Sequence, residues 1–138
     1  MTRAFIDTNV VLYLVSADAA KADRAETLLK DGPAASVQLL AELTNVCLRK
    51  FRMTWPAITD LRTVIEQACV IHDLTHAIHR RATMIAEADG LSIYDAQVVA
   101  AALAHDAPIL WSEDLRDGRR FEGRLTVRNP FRSAAPPL

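Results

Sequence analysis

The chain has 138 residues, of which 51% are hydrophobic and 24% charged, with 16 basic against 17 acidic side chains. This length and apolar fraction suit one domain with a single core. The balanced charge excludes a generally basic nucleic-acid-binding surface and an acidic disordered chain. Two cysteines, Cys47 and Cys69, cannot build a disulfide framework and fit a reducing compartment.

Short apolar segments alternate along the chain with longer segments of helical periodicity. Strands are predicted at residues 3–7, 34–37, 70–71, 108–111 and 125–127. Helices are predicted from residue 8 and at residues 19–30, 37–50, 56–69, 76–89 and 93–105, with N-caps at Ser36, Thr75 and Ser92. This alternation predicts an α/β sandwich around a mostly parallel sheet, in one domain over residues 1–132 with a loose tail at 133–138.

Targeting and membrane segments are not predicted. No apolar run approaches the roughly 18 residues needed to span a bilayer. The N-terminal apolar stretch is interrupted by Asp7, Thr8 and Asn9, and is too short for the roughly 7–15-residue core of a secretory signal peptide. We therefore expect a soluble cytoplasmic protein.

Four acidic residues occupy positions where ligands or apolar packing are expected. Asp7 and Asp114 each follow a predicted buried strand, and ligands bind at the carboxyl ends of the strands in open α/β sheets. Glu42 borders the apolar stripe of its helix, and Asp95 lines up with Val99 on the packed side of another.

Convergence of these carboxylates requires compensation, because an unpaired buried carboxylate costs several kcal/mol. A divalent cation provides it, and a ligand set made only of oxygen favours Mg²⁺ or Mn²⁺ over zinc. Such a site suits hydrolysis of a phosphodiester, since the metal activates water and stabilises charge on the phosphate.

Each acid taken alone also fits an ordinary structural role. Asp7 suits the N-cap of the following helix, and Asp95 suits the first turn of its own. Glu42 fits a boundary residue that reaches solvent, and Asp114 fits a turn. The four together favour a site.

Four strings in the chain resemble the motifs of the PIN-domain ribonucleases, in particular the VapC-type toxins of bacterial toxin–antitoxin pairs. They are FIDTNV at residues 5–10, SVQLLAEL at 36–43, GLSIYDA at 90–96 and LWSEDL at 110–115. The resemblance implies a three-layer α/β/α PIN-like fold with a mostly parallel central sheet. It also implies endonucleolytic cleavage of RNA that depends on Mg²⁺ or Mn²⁺, a homodimer, and a cognate antitoxin as partner.

The resemblance also assigns roles to individual residues. It makes four acids the catalytic and metal-binding centre: Asp7, Glu42, Asp95 and Asp114. Three polar residues are expected to orient these carboxylates or metal-bound waters: Thr8, Asn9 and Ser112. Glu113 stands beside Asp114, so the sequence leaves open which of the two is the fourth acid.

Binding of RNA requires cations, because phosphate contacts supply most of the nonspecific affinity. Arginines cluster after the fourth motif and after the Glu42 helix, and five of them are candidates to hold the RNA backbone: Arg49, Arg52, Arg116, Arg119 and Arg120. A solvated face, or contacts with an acidic antitoxin segment, is the alternative for each.

Three other functions fit parts of the sequence less well or stay open. A zinc site at His72, His76 and His79 has weak support, since only the last two share a helix face. A phosphohydrolase with Asp7 as nucleophile usually has a second Asp two residues later, where this chain has Asn9. A catalytically silent module that binds RNA or antitoxin stays open.

Overall fold

The computed structural model describes residues 3–132, so the tail predicted at 133–138 lies outside the described residues. The strands are β1 (Phe5–Ile6), β2 (Ala34–Ser36), β3 (Val70–His72), β4 (Ile109–Trp111), β5 (Arg120–Phe121) and β6 (Leu125–Arg128). The α-helices are α1 (Thr8–Val11), α2 (Ala19–Lys30), α3 (Val37–Arg49), α4 (Trp55–Ala68), α5 (His76–Asp89) and α6 (Ile93–Ala104), and a 3₁₀ helix covers Leu12–Val15. None of the helices in residues 3–132 is long and apolar enough to cross a membrane.

The six strands form one sheet in the order β3-β2-β1-β4-β6-β5. Every neighbouring pair is parallel except β5 and β6, which are antiparallel. The chain moves outward from β1 to β3 and then resumes on the other side of β1, at β4. The strand order therefore reverses between β1 and β4, and a crevice opens at the carboxyl ends of strands at such a point.

Two apolar cores lie on opposite faces of the sheet and confirm the three-layer α/β/α fold. On one face, α5 and α6 pack against β-strand residues that include Phe5 and Leu110. On the other, α2, α3 and α4 pack against residues such as Ile6 and Ala35. Helix α6 is buried over residues 96–103, and its alanines allow close contact with its neighbours.

Most predicted helix starts are confirmed by their capping hydrogen bonds. Thr75 and Ser92 each accept a backbone N–H from the first turn of α5 and α6. Ser36 does stand at the N-cap of α3, but its side chain makes no capping hydrogen bond. The physical reason is that Ser36 is also the last residue of the buried strand β2. Its backbone pairs with His72, and this pairing fixes the direction of the Ser36 side chain.

Strand β5 was not predicted. It forms a hairpin with β6 through a turn in which Glu122 and Gly123 have φ angles of 53° and 67°. Two successive residues with positive φ match the twist of antiparallel strands. The strand has two residues, one of them Arg120, and so lacks the apolar alternation that identifies longer strands.

Truncation of a central strand residue tests the packing of the sheet. Leu110 on β4 is completely buried, so we expect Leu110→Ala to lower the free energy of unfolding by about 2–5 kcal/mol through lost burial and the cavity left behind. Val64→Ala is the matched control, because Val64 is 54% exposed, and it should change stability by less than about 0.5 kcal/mol. Urea unfolding measures both, and equal effects would contradict this packing.

Candidate active site

Asp7 leaves β1 and becomes the N-cap of α1. Its Oδ1 accepts the backbone N–H of Thr8 at 2.8 Å, and its Oδ2 accepts the Ser112 hydroxyl at 2.9 Å and the Asn9 amide at 3.2 Å. The residue is 6% exposed. Burial raises the pKa of Asp7 to about 7, aided by the charges of Glu42 and Asp114 and opposed by the Ser112 and Thr8 hydrogen bonds.

Ser112 connects the two strand ends at the reversal point. Its hydroxyl is fully buried, donates to Asp7 and accepts the backbone N–H of Asp114 at 3.2 Å. Asn9 makes a second link, since its Oδ1 accepts the backbone N–H of Glu113 at 3.0 Å. The predicted polar residues Asn9 and Ser112 therefore fix the segment after β4 to the start of α1.

A hydrogen bond from a residue of α1 also holds the Glu42 side chain in place. Its Oε1 accepts the Thr8 hydroxyl at 2.7 Å, so the third predicted polar residue joins the first acidic motif to the second. On α3, Leu39 and Leu43 are buried while Glu42 is half-buried at the border of this apolar stripe. The helical spacing thus turns Glu42 toward the sheet edge where Asp7 lies.

Asp95 and Asp114 are more accessible than Asp7. Asp95 lies in the first turn of α6, and its backbone N–H bonds to the Ser92 hydroxyl at 3.1 Å. Partial burial, and secondarily the charge of Asp114, raises the pKa of Asp95. Asp114 follows β4 and is exposed. Both acids therefore have carboxylates that solvent reaches.

All four predicted acids line one cavity of about 170 Å³. They come from four separate segments: the start of α1, the middle of α3, the start of α6 and the loop after β4. Thr8 and Asn9 also line the cavity, together with Leu12, Gln38, Val46, Tyr94 and Val98. The structure thus brings the predicted acids together at the carboxyl edge of the sheet.

The neighbouring acid Glu113 points to a different place. It lines an adjoining cavity and is absent from the lining of the acidic one. Its carboxylate accepts the Tyr13 hydroxyl at 2.5 Å and the Lys21 ammonium at 3.0 Å. Burial would raise the pKa of Glu113, but these two hydrogen bonds outweigh it and lower the pKa. Asp114 is therefore the acid that faces the other three.

Two of the three candidate arginines after the fourth motif already bind other groups of the protein. Arg119 donates to the backbone oxygen of Asp89 at 3.1 Å and pairs with its carboxylate at 3.4 Å. Arg120 donates to the carbonyl of Gly123 in the hairpin turn. Arg116 is exposed, two residues beyond the acidic cavity. Arg116 therefore has the best access to a ligand of these three.

The second arginine cluster lies at the end of α3, two turns beyond Glu42. Arg49 and Arg52 are both exposed. The Nε of Arg49 donates to the Asn45 side chain at 3.0 Å, which directs the guanidinium along the helix. Arg49 thus stands on the same helix as an acid of the cavity, and Arg52 lies in the loop that follows this helix.

A chain of buried amides was missed by the sequence reasoning. Gln38 Nε2 donates to the backbone oxygen of Tyr94, and Gln97 Nε2 donates to Gln38 Oε1 at 2.9 Å. Since both amide nitrogens donate in this direction, His79 Nδ1 is the donor to Gln97 Oε1 at 2.6 Å. The sequence feature that could have indicated these hydrogen-bonded amides is the isolated Gln97 within the Ala- and Val-rich helix.

The histidines do not assemble into a zinc site. His72 stacks on His105 with ring centroids 3.5 Å apart, and His79 bonds to Gln97. Within residues 3–132, no three side chains of His, Cys, Asp or Glu form a compact metal-binding group.

The PIN domain family model matches residues 4–121 of the chain. The match includes all four acids and both strand ends at the reversal point. The chain therefore belongs to the PIN-domain family, as the four motifs indicate. Among curated protein sequences, no significant match is found.

Solved structures share this fold at low sequence identity. A toxin–antitoxin complex from Klebsiella pneumoniae matches with a TM-score of 0.70 and 22% identity, covering 93% of this chain and 98% of that one. VapC20 of Mycobacterium tuberculosis, a toxin that cleaves the sarcin–ricin loop, matches with a TM-score of 0.64 and 19% identity over 80% and 91%. VapBC2 of Rickettsia felis, bound to a promoter DNA fragment, matches with a TM-score of 0.65 and 18% identity over 91% and 98%.

The raised pKa of Asp7 predicts how stability depends on pH without metal. Because the folded-state pKa of about 7 exceeds the ordinary value of 3.8, the stabilisation is complete at low pH and is lost as pH rises through about 7. The shift corresponds to about 4 kcal/mol at alkaline pH. In EDTA at pH 8, Asp7→Asn should therefore be more stable than wild type by about 1–3 kcal/mol, since the amide keeps part of the hydrogen bonding.

Urea unfolding between pH 4.5 and 8 measures this difference. The exposed Asp23→Asn is the control and should follow the wild-type pH dependence. If Asp7→Asn lost stability at pH 8 in EDTA, the burial cost assigned to Asp7 would be wrong.

Proposed function

We propose that this PIN-domain protein is a metal-dependent endoribonuclease, the toxin of a toxin–antitoxin pair. The observation that carries the proposal is the convergence of four carboxylates on one cavity at the strand reversal point. One of them, Asp7, is buried next to further negative charge. Such an arrangement is costly without a cation, and carboxylate oxygens are the ligands that Mg²⁺ and Mn²⁺ prefer.

The donor set fits Mg²⁺ or Mn²⁺. Mg²⁺ keeps several waters and binds through one or two carboxylates plus substrate phosphate, so it suits acids that line a cavity without forming a compact cluster. We assign the ion to Asp7, Glu42 and Asp95, with Asp114 completing the acidic centre. When bound, the ion supplies activation of water and stabilisation of charge on the phosphate.

The protein's own residues keep this centre in place. Three hydrogen bonds hold the Asp7 carboxylate, and the Thr8 hydroxyl holds Glu42, so neither acid has to be ordered when substrate arrives. Asp95 and Asp114 stand at the accessible side, where they face the phosphate and its water. Preorganised charge of this kind lowers the cost of reaching the transition state.

We assign the RNA backbone to the exposed cations that flank the cavity. Arg116 follows Asp114 closely, Arg49 ends the helix of Glu42, and Arg52 lies in the loop just after it. Arg119 and Arg120 of the same candidate set hold internal partners, so their contribution requires these contacts to exchange. Phosphate contacts made by such residues predict binding that weakens with salt.

A partner antitoxin and a homodimer belong to the same proposal, with action on RNA in the cytoplasm. Toxin–antitoxin complexes among the structures of the same fold support the antitoxin. The position of Tyr94 supports a partner that covers the acidic cavity, because this side chain is 63% exposed and lines the cavity. A large aromatic side chain in this position offers contact area at the mouth of the site.

Cleavage of cellular RNA by the purified chain tests the nuclease. Wild-type protein separated from any bound partner should give discrete fragments with Mg²⁺ or Mn²⁺ and none with EDTA. Asp95→Asn should reduce the rate by about a hundredfold or more, because Asp95 is assigned as a ligand and loss of an outer partner of a ligand already costs about 10–100-fold. Asp23→Asn changes an exposed acid that does not line the cavity, and it should cleave like wild type.

Failure of folded, Mn²⁺-binding protein to cut any RNA would contradict the nuclease and favour a binding module. Cleavage retained by Asp95→Asn would place the activity in a contaminant. Phosphorylation of Asp7 during turnover would instead indicate a phosphohydrolase.

Ser112→Ala tests the positioning of Asp7. The variant removes the hydroxyl that donates to Asp7 and accepts from Asp114 N–H, so the carboxylate loses one of its three supports. We expect cleavage to fall by about 10–100-fold, the range for a residue that supports a metal ligand. Mn²⁺ titration should show weaker metal binding in the same variant, whereas unchanged metal affinity would contradict this role.

A further inference from the structure

Two buried side-chain amides connect the helices on the two faces of the sheet. Gln38 and Gln97 are each 8% exposed, and Gln97 Nε2 donates to Gln38 Oε1 at 2.9 Å. Gln38 Nε2 donates to the backbone oxygen of Tyr94 at 3.1 Å, and Gln97 Oε1 lies 2.6 Å from Nδ1 of His79. These hydrogen bonds join α3 on one face of the sheet to α5 and α6 on the other.

The backbone oxygen of Tyr94 fixes the direction of every hydrogen bond in this series. A carbonyl oxygen only accepts, so the Gln38 atom that contacts it has to be the amide nitrogen. Gln38 then offers its oxygen to the nitrogen of Gln97, and the Gln97 oxygen is left for a donor on His79. The Nδ1 of His79 carries a proton both in this neutral tautomer and in the cation, so the series is kept in either form.

Gln38 links the segments that carry two of the four acids. It precedes Glu42 by four residues on α3, which is about one helical turn, and both side chains line the acidic cavity. The Tyr94 carbonyl that it binds belongs to the first turn of α6, directly before Asp95. The Gln38–Tyr94 hydrogen bond therefore connects the helix of Glu42 to the turn of Asp95.

Few other polar contacts hold the first turn of α6 against α3. The Ser92 hydroxyl accepts the backbone N–H of Asp95, but Ser92 belongs to the same turn and moves with it. Within residues 3–132, the hydrogen bonds between α3 and α6 are the two made by Gln38. Leu91 and Ile93, at the start of α6, are only partly buried. Without Gln38, the position of this turn would depend on apolar packing alone.

We propose that Gln38 is a positioning residue that sets the distance between Asp95 and Glu42. Gln97 and His79 orient its amide for this role. The proposal rests on the metal-dependent function given above, because Mg²⁺ requires near-octahedral geometry and is therefore sensitive to the separation of its carboxylates. Loss of an outer partner of a metal site costs about 10–100-fold in metal affinity or activity. Gln38 acts through the backbone next to a ligand, so we expect the lower end of this range.

Amide hydrogen exchange in metal-free protein tests the contact itself. Gln38→Met keeps a long side chain and removes the donor to Tyr94. Exchange of the Asp95 and Ala96 amides should become about fivefold faster, the factor that corresponds to one net hydrogen bond. Ile85→Val removes one methylene from the core between α5 and α6 and is the control. It should leave these two amides unchanged, because the first turn of a helix opens locally and does not follow global stability.

Mn²⁺ titration and cleavage kinetics measure the consequence for the acidic centre. Gln38→Met should bind Mn²⁺ about tenfold more weakly than wild type and should cleave RNA with a kcat reduced by about the same factor. KM for RNA should not change, since the Gln38 amide bonds within the protein. Ile85→Val should match wild type in Mn²⁺ affinity and in kcat.

Two variants of His79 test the other end of the series, at a residue that does not line the cavity. His79→Ala removes the donor to Gln97, so amide exchange and Mn²⁺ affinity should lie between those of wild type and Gln38→Met. His79→Asn keeps an N–H donor close to the position of Nδ1 and should restore the wild-type values.

Unchanged amide exchange, or unchanged Mn²⁺ affinity, in Gln38→Met would overturn the positioning role, and wild-type cleavage would leave the nuclease standing. Wild-type protein that binds Mn²⁺ but cuts no RNA would contradict the nuclease alone. The two failures are distinguishable, because exchange and metal affinity are both measured without RNA.

Discussion

The pairing of β1 with β4 is the contact on which the acidic cavity depends. Phe5 and Ile6 lie opposite Leu110 and Trp111, and the backbone N–H of Asp7 bonds to the oxygen of Trp111 at 2.9 Å. The two strands therefore end side by side, and the Ser112 hydroxyl reaches the Asp7 carboxylate. A shift of this register by one residue would turn alternate side chains to the opposite face and separate the two motifs.

The same cavity contains an unfavourable electrostatic interaction, and the rest of the fold has to offset its cost in stability. Asp7 is buried with other carboxylates nearby, which raises its pKa and costs stability at neutral pH. Apolar cores on both faces of the sheet supply the compensating stability. Under the proposed function, a bound cation would relieve this electrostatic cost, and metal affinity and folding stability would then be linked.

Local signals made the secondary structure largely predictable. Thr75, Ser92 and the glycine at the end of α5 act through residues within a few positions, so the sequence alone identifies these helix ends. Contacts across the chain were not predictable in this way. The partner of Arg119 is Asp89, 30 residues earlier, and the Gln38–Gln97 bond spans 59 positions.

The four acids and their order in the chain could be identified from the sequence, because each follows a strand or a helical stripe whose pattern is local. Which of Asp114 and Glu113 lines the acidic cavity with the other three acids was decided only by tertiary structure. Lys21 and Tyr13, about a hundred positions away, bind Glu113 and hold it in the neighbouring cavity. These hydrogen bonds between distant segments fix the direction of Glu113, and the adjacent Asp114 faces Asp7 and Asp95. No local sequence pattern encodes bonds of this kind.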